Sequence, residues 1–165
     1  MKNIKFFGSI PAIVTPFKKN GSLDLPALKK FVEFQIEGGI DAIVPCGSTG
    51  EAATMNEEEY RWVLETVVKQ VNGRIPVIAG AGSNDTLTAI NFSKIAKKAG
   101  ADALLHVTPF YNKPTPNGLI AHFKAIADAV DMPIVIYNVP GRTGSNVSPA
   151  TIIKIAQAVP QVKAV

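Results

Sequence analysis

Two short segments carry the side chains best suited to hold a small carboxylic acid. Ser48 and Thr49 lie between two glycines, Gly47 and Gly50, so that hydroxyls and backbone N–H groups could both approach a carboxylate closely. Further along the chain, Arg142 offers a planar guanidinium that can form two parallel hydrogen bonds to a second carboxylate. These residue types predict the binding of a small anionic substrate.

Two tyrosines provide groups that could move protons. Tyr111 and Tyr137 each lie in a polar segment that follows an apolar run, and a phenol can relay a proton when another polar group holds it. Taken singly, each feature also has an ordinary structural interpretation: the Gly-Ser-Thr-Gly segment as a turn, the tyrosines as packing residues and Arg142 as an ion-pair partner. The functional interpretation therefore depends on whether the fold brings these groups together.

The elements that must position these groups alternate along the chain. Apolar, β-branched runs predict six strands, because continuous rather than alternating hydrophobicity indicates strands covered on both faces. These runs begin near Ile10, Asp41, Ile75, Asp102, Pro133 and Val162. Helices are predicted from about Leu25 to Glu37, from the Asn56–Glu59 capping box to Asn72, from Thr86 to Lys98 with Leu87 facing inward, from Leu119 to Val130, and from Ser148 to Pro160.

This alternation predicts an α/β fold in which residues 1–165 form a single domain of about five βα units and the start of a sixth strand. Two architectures fit: part of a (β/α)8 TIM barrel, or a doubly wound open sheet. The G-x-G-x-x-G signature of the second is missing after the first strand. In both, functional groups gather at the carboxyl ends of the strands, which is where residues 47–51, 108–112 and 137–144 are expected.

Composition narrows the range of functions. The formal charge is +4, but the basic residues are scattered over predicted helices, so we expect no nucleic-acid partner. The apolar runs are too short to span a bilayer, and the single cysteine excludes an internal disulfide framework and a Cys-based zinc cluster. We predict a cytoplasmic protein with no membrane partner and no metal, in which Cys46 and His106 are core residues and His122 lies at the surface.

Three motifs resemble those of the dihydrodipicolinate synthase family. They are Gly47-Ser48-Thr49-Gly50-Glu51, Thr108-Pro109-Phe110-Tyr111-Asn112-Lys113-Pro114 and Tyr137-Asn138-Val139-Pro140-Gly141-Arg142-Thr143-Gly144. The resemblance covers the whole chain in order, and the motifs together are specific for pyruvate-dependent class I aldolases and lyases. The third motif favours the synthase branch over the sialic-acid lyase branch, in which the arginine is typically absent.

The resemblance implies a (β/α)8 barrel that condenses pyruvate with aspartate semialdehyde through a lysine Schiff base, in lysine and diaminopimelate biosynthesis. No cofactor is implied, because the imine itself is the electron sink. It implies a homo-oligomer, a dimer or a tetramer. The resemblance assigns a proton relay to Tyr137, Ser48 and Tyr111, with Tyr111 reaching a neighbouring subunit's site. It assigns pyruvate binding to Thr49, with Gly47 and Gly50 around it. Arg142 is implied to bind the semialdehyde carboxylate.

By the same resemblance, the Schiff-base lysine falls one residue after Val165. Lys163 is not expected to replace it, because an odd offset along a strand directs a side chain to the opposite face. We therefore expect residues 1–165 alone to be inactive, and to be marginally stable because an incomplete barrel leaves sheet edges unpaired. Two alternatives stay open: a related pyruvate lyase such as N-acetylneuraminate lyase, and a non-catalytic half-barrel scaffold.

Overall fold

The computed structural model describes Ile4 and residues 6–165. The helices are α1 (Leu25–Glu37), α2 (Glu57–Val71), α3 (Thr86–Ala99), α4 (Pro116–Ala129), α5 (Pro140–Thr143) and α6 (Pro149–Ala158), with a 3-10 turn at Ala52–Thr54. The strands are β1 (Ile78–Gly80), β2 (Ala103–Val107), β3 (Ile134–Tyr137) and β4 (Val162–Ala164), which form a parallel sheet in that order. The predicted α/β alternation is confirmed.

Short polar side chains set where the helices begin. The Asn56 side chain accepts hydrogen bonds from the N–H groups of Glu58 and Glu59, while the Glu59 carboxylate accepts from the Asn56 N–H at 3.0 Å. This confirms the predicted capping box at the start of α2. At the start of α6, the Ser148 hydroxyl oxygen accepts the Thr151 N–H as a simple cap, and Pro149 follows at a position where a missing N–H has no cost.

The first two predicted strands were wrong in extent. Near Ile10 and Asp41 the chain forms single parallel bridges, from Ala12 to Val44 and from Ile43 to Val77, in place of regular strands. These bridges still extend the sheet in sequence order beyond β1.

Prolines account for the short pairing. The Gly80 N–H donates to the Pro45 carbonyl at 2.9 Å, but Pro45 has no N–H to donate in return, so the ladder ends there. The Val44 N–H likewise donates to the Pro11 carbonyl at 2.9 Å, and Pro11 has no N–H to continue that ladder. Directly after Pro45, Cys46 adopts a φ of +56° and leaves the extended conformation.

Alternate strand residues face two different environments. Ile134 and Ile136 of β3 are buried in an apolar cluster with residues of α4 and α6, whereas Val135 and Tyr137 line a cavity on the opposite face. Helices thus cover one face of a sheet whose strands follow one another in sequence. This arrangement is consistent with part of a barrel, because a doubly wound sheet reverses its strand order and carries helices on both faces.

Two side chains are placed differently from the prediction. Leu87 is 75% exposed rather than inward-facing, and His122 is 5% exposed rather than at the surface. His122 lies on the inner side of α4, where its Nδ1 is 2.9 Å from the Thr86 hydroxyl oxygen. Cys46 and His106 are buried as predicted. Among the residues that the structure describes, no helix has the length and apolarity needed to cross a membrane.

Candidate active site

A cavity of about 450 Å³ lies on the face of the sheet that the helices leave uncovered. The loop that follows the bridge residue Val44 lines this cavity with Gly47, Ser48 and Thr49. The end of β3 lines it with Tyr137. The cavity extends along the sheet from Phe6 and Ile78, and the predicted hydroxyls and one predicted phenol line it at the carboxyl ends of the strands, where βα folds place their chemistry.

The loop of residues 47–50 is a tight turn that packs against the backbone of the first bridging segment. The Gly50 N–H donates to the Gly47 carbonyl at 3.0 Å, which closes a tight turn with Ser48 and Thr49 exposed at its tip. Gly50 itself is buried and lies outside the cavity lining. An added Cβ at Gly50 would lie 3.0 Å from the Ile13 carbonyl oxygen, so the close approach of two backbone segments requires a small residue here.

Tyr137 takes its position from the regular part of the sheet. Its carbonyl accepts the Thr108 N–H at 3.1 Å, and Val107 is its register partner on β2. The phenol is half-buried and lines both this cavity and a second one of about 420 Å³, which Gly47 and Ser48 also line. Tyr137 therefore lies at the junction of the two cavities.

Tyr111 and Arg142 lie at the same end of the sheet but line neither cavity. Tyr111 is 88% exposed and adopts a φ of +69°, so its phenol is directed away from its own chain. Arg142 is exposed on α5, in a loop closed by Asn138, whose side-chain carbonyl oxygen accepts the Val147 N–H at 3.2 Å. Of the predicted site residues, the structure thus brings Gly47, Ser48, Thr49 and Tyr137 to one cavity, whereas Gly50, Tyr111 and Arg142 lie outside its lining.

The end of β4 also faces the cavity. Ala164 and Val165 line it, whereas Lys163 is exposed and is not part of the lining. Lys163 therefore does not contribute to this cavity, in agreement with the expectation that it does not replace the Schiff-base lysine.

Comparisons with known proteins decide the family. The model of the "Dihydrodipicolinate synthetase family" matches residues 5–165. The chain belongs to this family. It is 58% identical over 157 residues to the 4-hydroxy-tetrahydrodipicolinate synthase of Maridesulfovibrio salexigens, an alignment that covers 95% of this chain and 53% of that relative. It is 59% identical over 152 residues to that of Geotalea uraniireducens, covering 92% and 52%. The chain spans about half the length of these relatives.

Solved structures of the dihydrodipicolinate synthetase family have the same fold over this length. The dihydrodipicolinate synthase from Aquifex aeolicus matches with a TM-score of 0.91 and 48% identity, covering 95% of this chain and 53% of that one. The chloride-inhibited enzyme from Acinetobacter baumannii, complexed with pyruvate, matches with a TM-score of 0.92 and 50% identity, covering 95% and 54%.

One buried residue near the site, Tyr60, was not predicted from the sequence. The Tyr60 hydroxyl donates to the Gly80 carbonyl at 2.9 Å, and burial raises the pKa of this phenol well above its usual value. The same burial raises the pKa of the Cys46 thiol, so neither group ionises near neutral pH. Tyr60 shares the apolar stripe of α2 with Val63 and Leu64. A tyrosine on such a stripe is the one sequence signal that could have predicted a buried hydroxyl bonded to a neighbouring backbone segment.

Proposed function

We propose that this chain forms the N-terminal part of a 4-hydroxy-tetrahydrodipicolinate synthase, a lyase that condenses pyruvate with aspartate semialdehyde through a lysine Schiff base. In this proposal residues 1–165 are a single partial domain of a (β/α)8 barrel, and the enzyme serves lysine and diaminopimelate biosynthesis in the cytoplasm. Support comes from family membership and from relatives with that name at 52–59% identity.

The observation that carries the proposal is the shared cavity of Ser48, Thr49 and Tyr137. A site for a keto acid needs hydrogen-bond donors for the carboxylate and a proton donor near the carbonyl carbon. Thr49, in a glycine-flanked turn with exposed hydroxyls, supplies the first, and the Tyr137 phenol at the end of β3 supplies the second. Ser48 lines both cavities that meet at Tyr137 and would pass protons between solvent and this phenol.

In the reaction, a lysine amine condenses with the pyruvate carbonyl and releases water, and loss of a methyl proton converts the imine to an enamine. The enamine carbon then forms a bond to the aldehyde carbon of the semialdehyde, whose oxygen takes up a proton. Tyr137 is assigned the proton transfers and Arg142 the semialdehyde carboxylate. Because Ala164 lines the cavity, the strand period of two places a residue at the position after Val165 on the same face, where the family resemblance puts the lysine.

Tyr111 is assigned to a neighbouring subunit of a homo-oligomer, where it would complete the relay. Its 88% exposure and left-handed φ support this assignment, since the side chain stands away from its own chain's cavity. A dimer of the complete enzyme is the minimum assembly that this role requires.

The test uses a hybrid protein: residues 1–165 followed by the part of the Maridesulfovibrio salexigens relative that lies beyond the alignment. Borohydride reduction in the presence of pyruvate should fix one carboxyethyl group on a lysine, found by mass spectrometry. Tyr137→Phe should lower kcat at least about 100-fold, and Thr49→Val should raise the pyruvate concentration for half-maximal trapping.

Lys163→Gln is the matched control, because this lysine is exposed outside the cavity, and it should trap pyruvate as the parent hybrid does. A folded hybrid that traps no pyruvate would show that the proposal is wrong. Activity with N-acetylneuraminate in place of aspartate semialdehyde and pyruvate would assign the chain to the related lyase branch instead.

A further inference from the structure

Thr15 lies directly beneath the loop of residues 47–50. Its side chain is 5% exposed, and its hydroxyl donates to the Gly50 carbonyl at 2.7 Å, a buried hydrogen bond between residues 35 positions apart. An added Cβ at Gly50 would lie 3.0 Å from the Ile13 carbonyl oxygen and 3.3 Å from the Thr15 hydroxyl oxygen. The bond is therefore enclosed in a close contact between the first bridging segment and the loop.

The same loop is bounded by two residues in an unfavourable backbone conformation. Cys46 has a φ of +56° and Glu51 a φ of +59°, a region that costs about 1–2 kcal/mol for a residue other than glycine. Such conformations persist only where the surroundings hold them in place. Within the span between them, the Thr15–Gly50 bond holds the loop to the segment that follows the bridge residue Ala12.

We propose that Thr15 is a positioning residue that holds Ser48 and Thr49 in the geometry that binds pyruvate. This inference rests on the proposed function. Thr15 lines neither cavity, so it acts on the substrate only through Gly50 and the turn above it. In this role the hydroxyl is the functional part of the side chain.

The test compares three variants of the hybrid. Thr15→Val keeps the volume and removes the donor, and Thr15→Ser keeps the donor. Thr151→Val is the matched control, because Thr151 is also buried, at 7% exposure. Its hydroxyl pairs with that of Ser148 at 3.0 Å at the start of α6, in another part of the chain from the loop of residues 47–50. For each variant, two quantities are measured: the pyruvate concentration for half-maximal borohydride trapping, and the amide hydrogen exchange of residues 48–51.

Thr15→Val should raise that pyruvate concentration at least about tenfold, equivalent to about 1.4 kcal/mol, and accelerate exchange in residues 48–51. The KM for aspartate semialdehyde should stay within about twofold, because Arg142 lies on a different loop. Thr15→Ser should restore both measured values. Thr151→Val should lower the melting temperature without changing either of them.

Three outcomes separate the possibilities. If Thr15→Val lowers the melting temperature as Thr151→Val does but leaves trapping and exchange unchanged, Thr15 is a core residue only and the inference is wrong. If Thr15→Ser behaves like Thr15→Val, the hydroxyl is not the anchor, and the inference is again wrong. If the parent hybrid traps no pyruvate, the proposed function fails, and the exchange measurement still decides whether Thr15 anchors the loop.

Discussion

The two Gly-x-Asp-Ala segments of the chain, which contain Asp41 and Asp102, begin alike and end differently. Asp41 donates its backbone N–H to the Ser9 carbonyl at 2.9 Å and accepts the Ser9 N–H on its carboxylate at 2.7 Å. Asp102 makes the same pair of contacts with Val77, at 2.8 and 2.9 Å. In both places the aspartate carboxylate adds one hydrogen bond beside the parallel backbone pairing. Only the second segment continues as a regular strand, β2.

The difference lies in the backbone donors that follow. Residues 103–107 contain no proline, so each N–H can pair with β1 or β3. After Asp41, Pro45 interrupts the segment, and Pro11 and Pro76 interrupt its two neighbours. The shared Gly-x-Asp-Ala sequence therefore fixes the register of each segment with its neighbour. The number of backbone N–H groups that follow, which prolines reduce, decides how far the pairing extends. We call residues 6–77 the bridged region and residues 78–164 the regular sheet.

The largest expected effect comes from Gly80→Ala, at the junction of the two regions. An added Cβ would lie 2.1 Å from the Cys46 carbonyl oxygen, and backbone atoms cannot move aside as a flexible side chain can. We expect the substitution to destabilise the hybrid by about 3 kcal/mol or more, measured by urea unfolding. Gly141→Ala is the control, since nothing lies within 4 Å of its added Cβ; equal stability of the two variants would contradict the prediction.

Acid should lower the free energy of unfolding of the hybrid through His106, a buried residue of β2. Ser93 donates its hydroxyl proton to the Ala89 carbonyl at 2.6 Å and so accepts from His106 Nε2 at 3.2 Å, which leaves Nδ1 unprotonated. Burial lowers the pKa of His106 from 6.5 to about 3. The unfolded chain therefore takes up the proton first, and the stability present above pH 6.5 falls as the pH drops from 6.5 toward 3, by up to about 1.4 kcal/mol per pH unit.

Urea unfolding of the hybrid and of His106→Gln between pH 7.5 and 4 checks this dependence. The variant should be less stable at pH 7.5 and should show a shallower decline, by about one proton per molecule. His122, whose pKa burial also lowers although nearby Asp85 opposes the shift, keeps a smaller dependence in both proteins. Parallel pH curves would exclude His106 as the source.

A moderate effect should distinguish the two aspartates directly. Asp102→Ala leaves the partly buried Val77 N–H without its carboxylate acceptor, which costs about 1–3 kcal/mol. Asp41→Ala frees an exposed Ser9 N–H that water can reach, so we expect less than about 1 kcal/mol. Asn at each position keeps one acceptor oxygen and should recover part of the loss. A larger loss at Asp41 than at Asp102 would reverse this ranking.

The smallest effect concerns the surface of the bridged region. Arg74 forms two hydrogen bonds to the Glu33 carboxylate, at 2.6 and 2.8 Å, and these, together with a hydrogen bond from Gln70, lower the pKa of Glu33 from 4.5 to about 2. This contribution is present above pH 4.5 and is lost as the pH falls toward 2. Glu33→Gln should therefore be slightly less stable than the parent at pH 7, and the gap should close on acidification and in high salt; a constant gap would argue against the ion pair.

The sequence predicted most of the elements because their signals are local. Capping residues such as Asn56 and Ser148, and the stripes of apolar residues that follow them, lie within a few positions of the contacts that they make. The same patterns put the Ser48–Thr49 turn and Tyr137 at one end of the sheet, where the structure places them on one cavity. The burial of His122 was missed because it depends on how α4 packs against Thr86 of α3.

By itself, the sequence determined the α/β alternation, the bounds of most long helices and the edge of the sheet at which the polar loops gather, since these follow from periodicity and from strand direction. It did not predict α5, and it placed the start of α4 at Leu119 rather than at Pro116. Tertiary structure alone decided that the first two apolar runs pair as single bridges, that Thr15 supports the Gly50 turn, and that Tyr111 and Arg142 remain at the rim. The reason is that a missing N–H matters only when its partner segment is known, and contacts across 35 positions leave no local pattern.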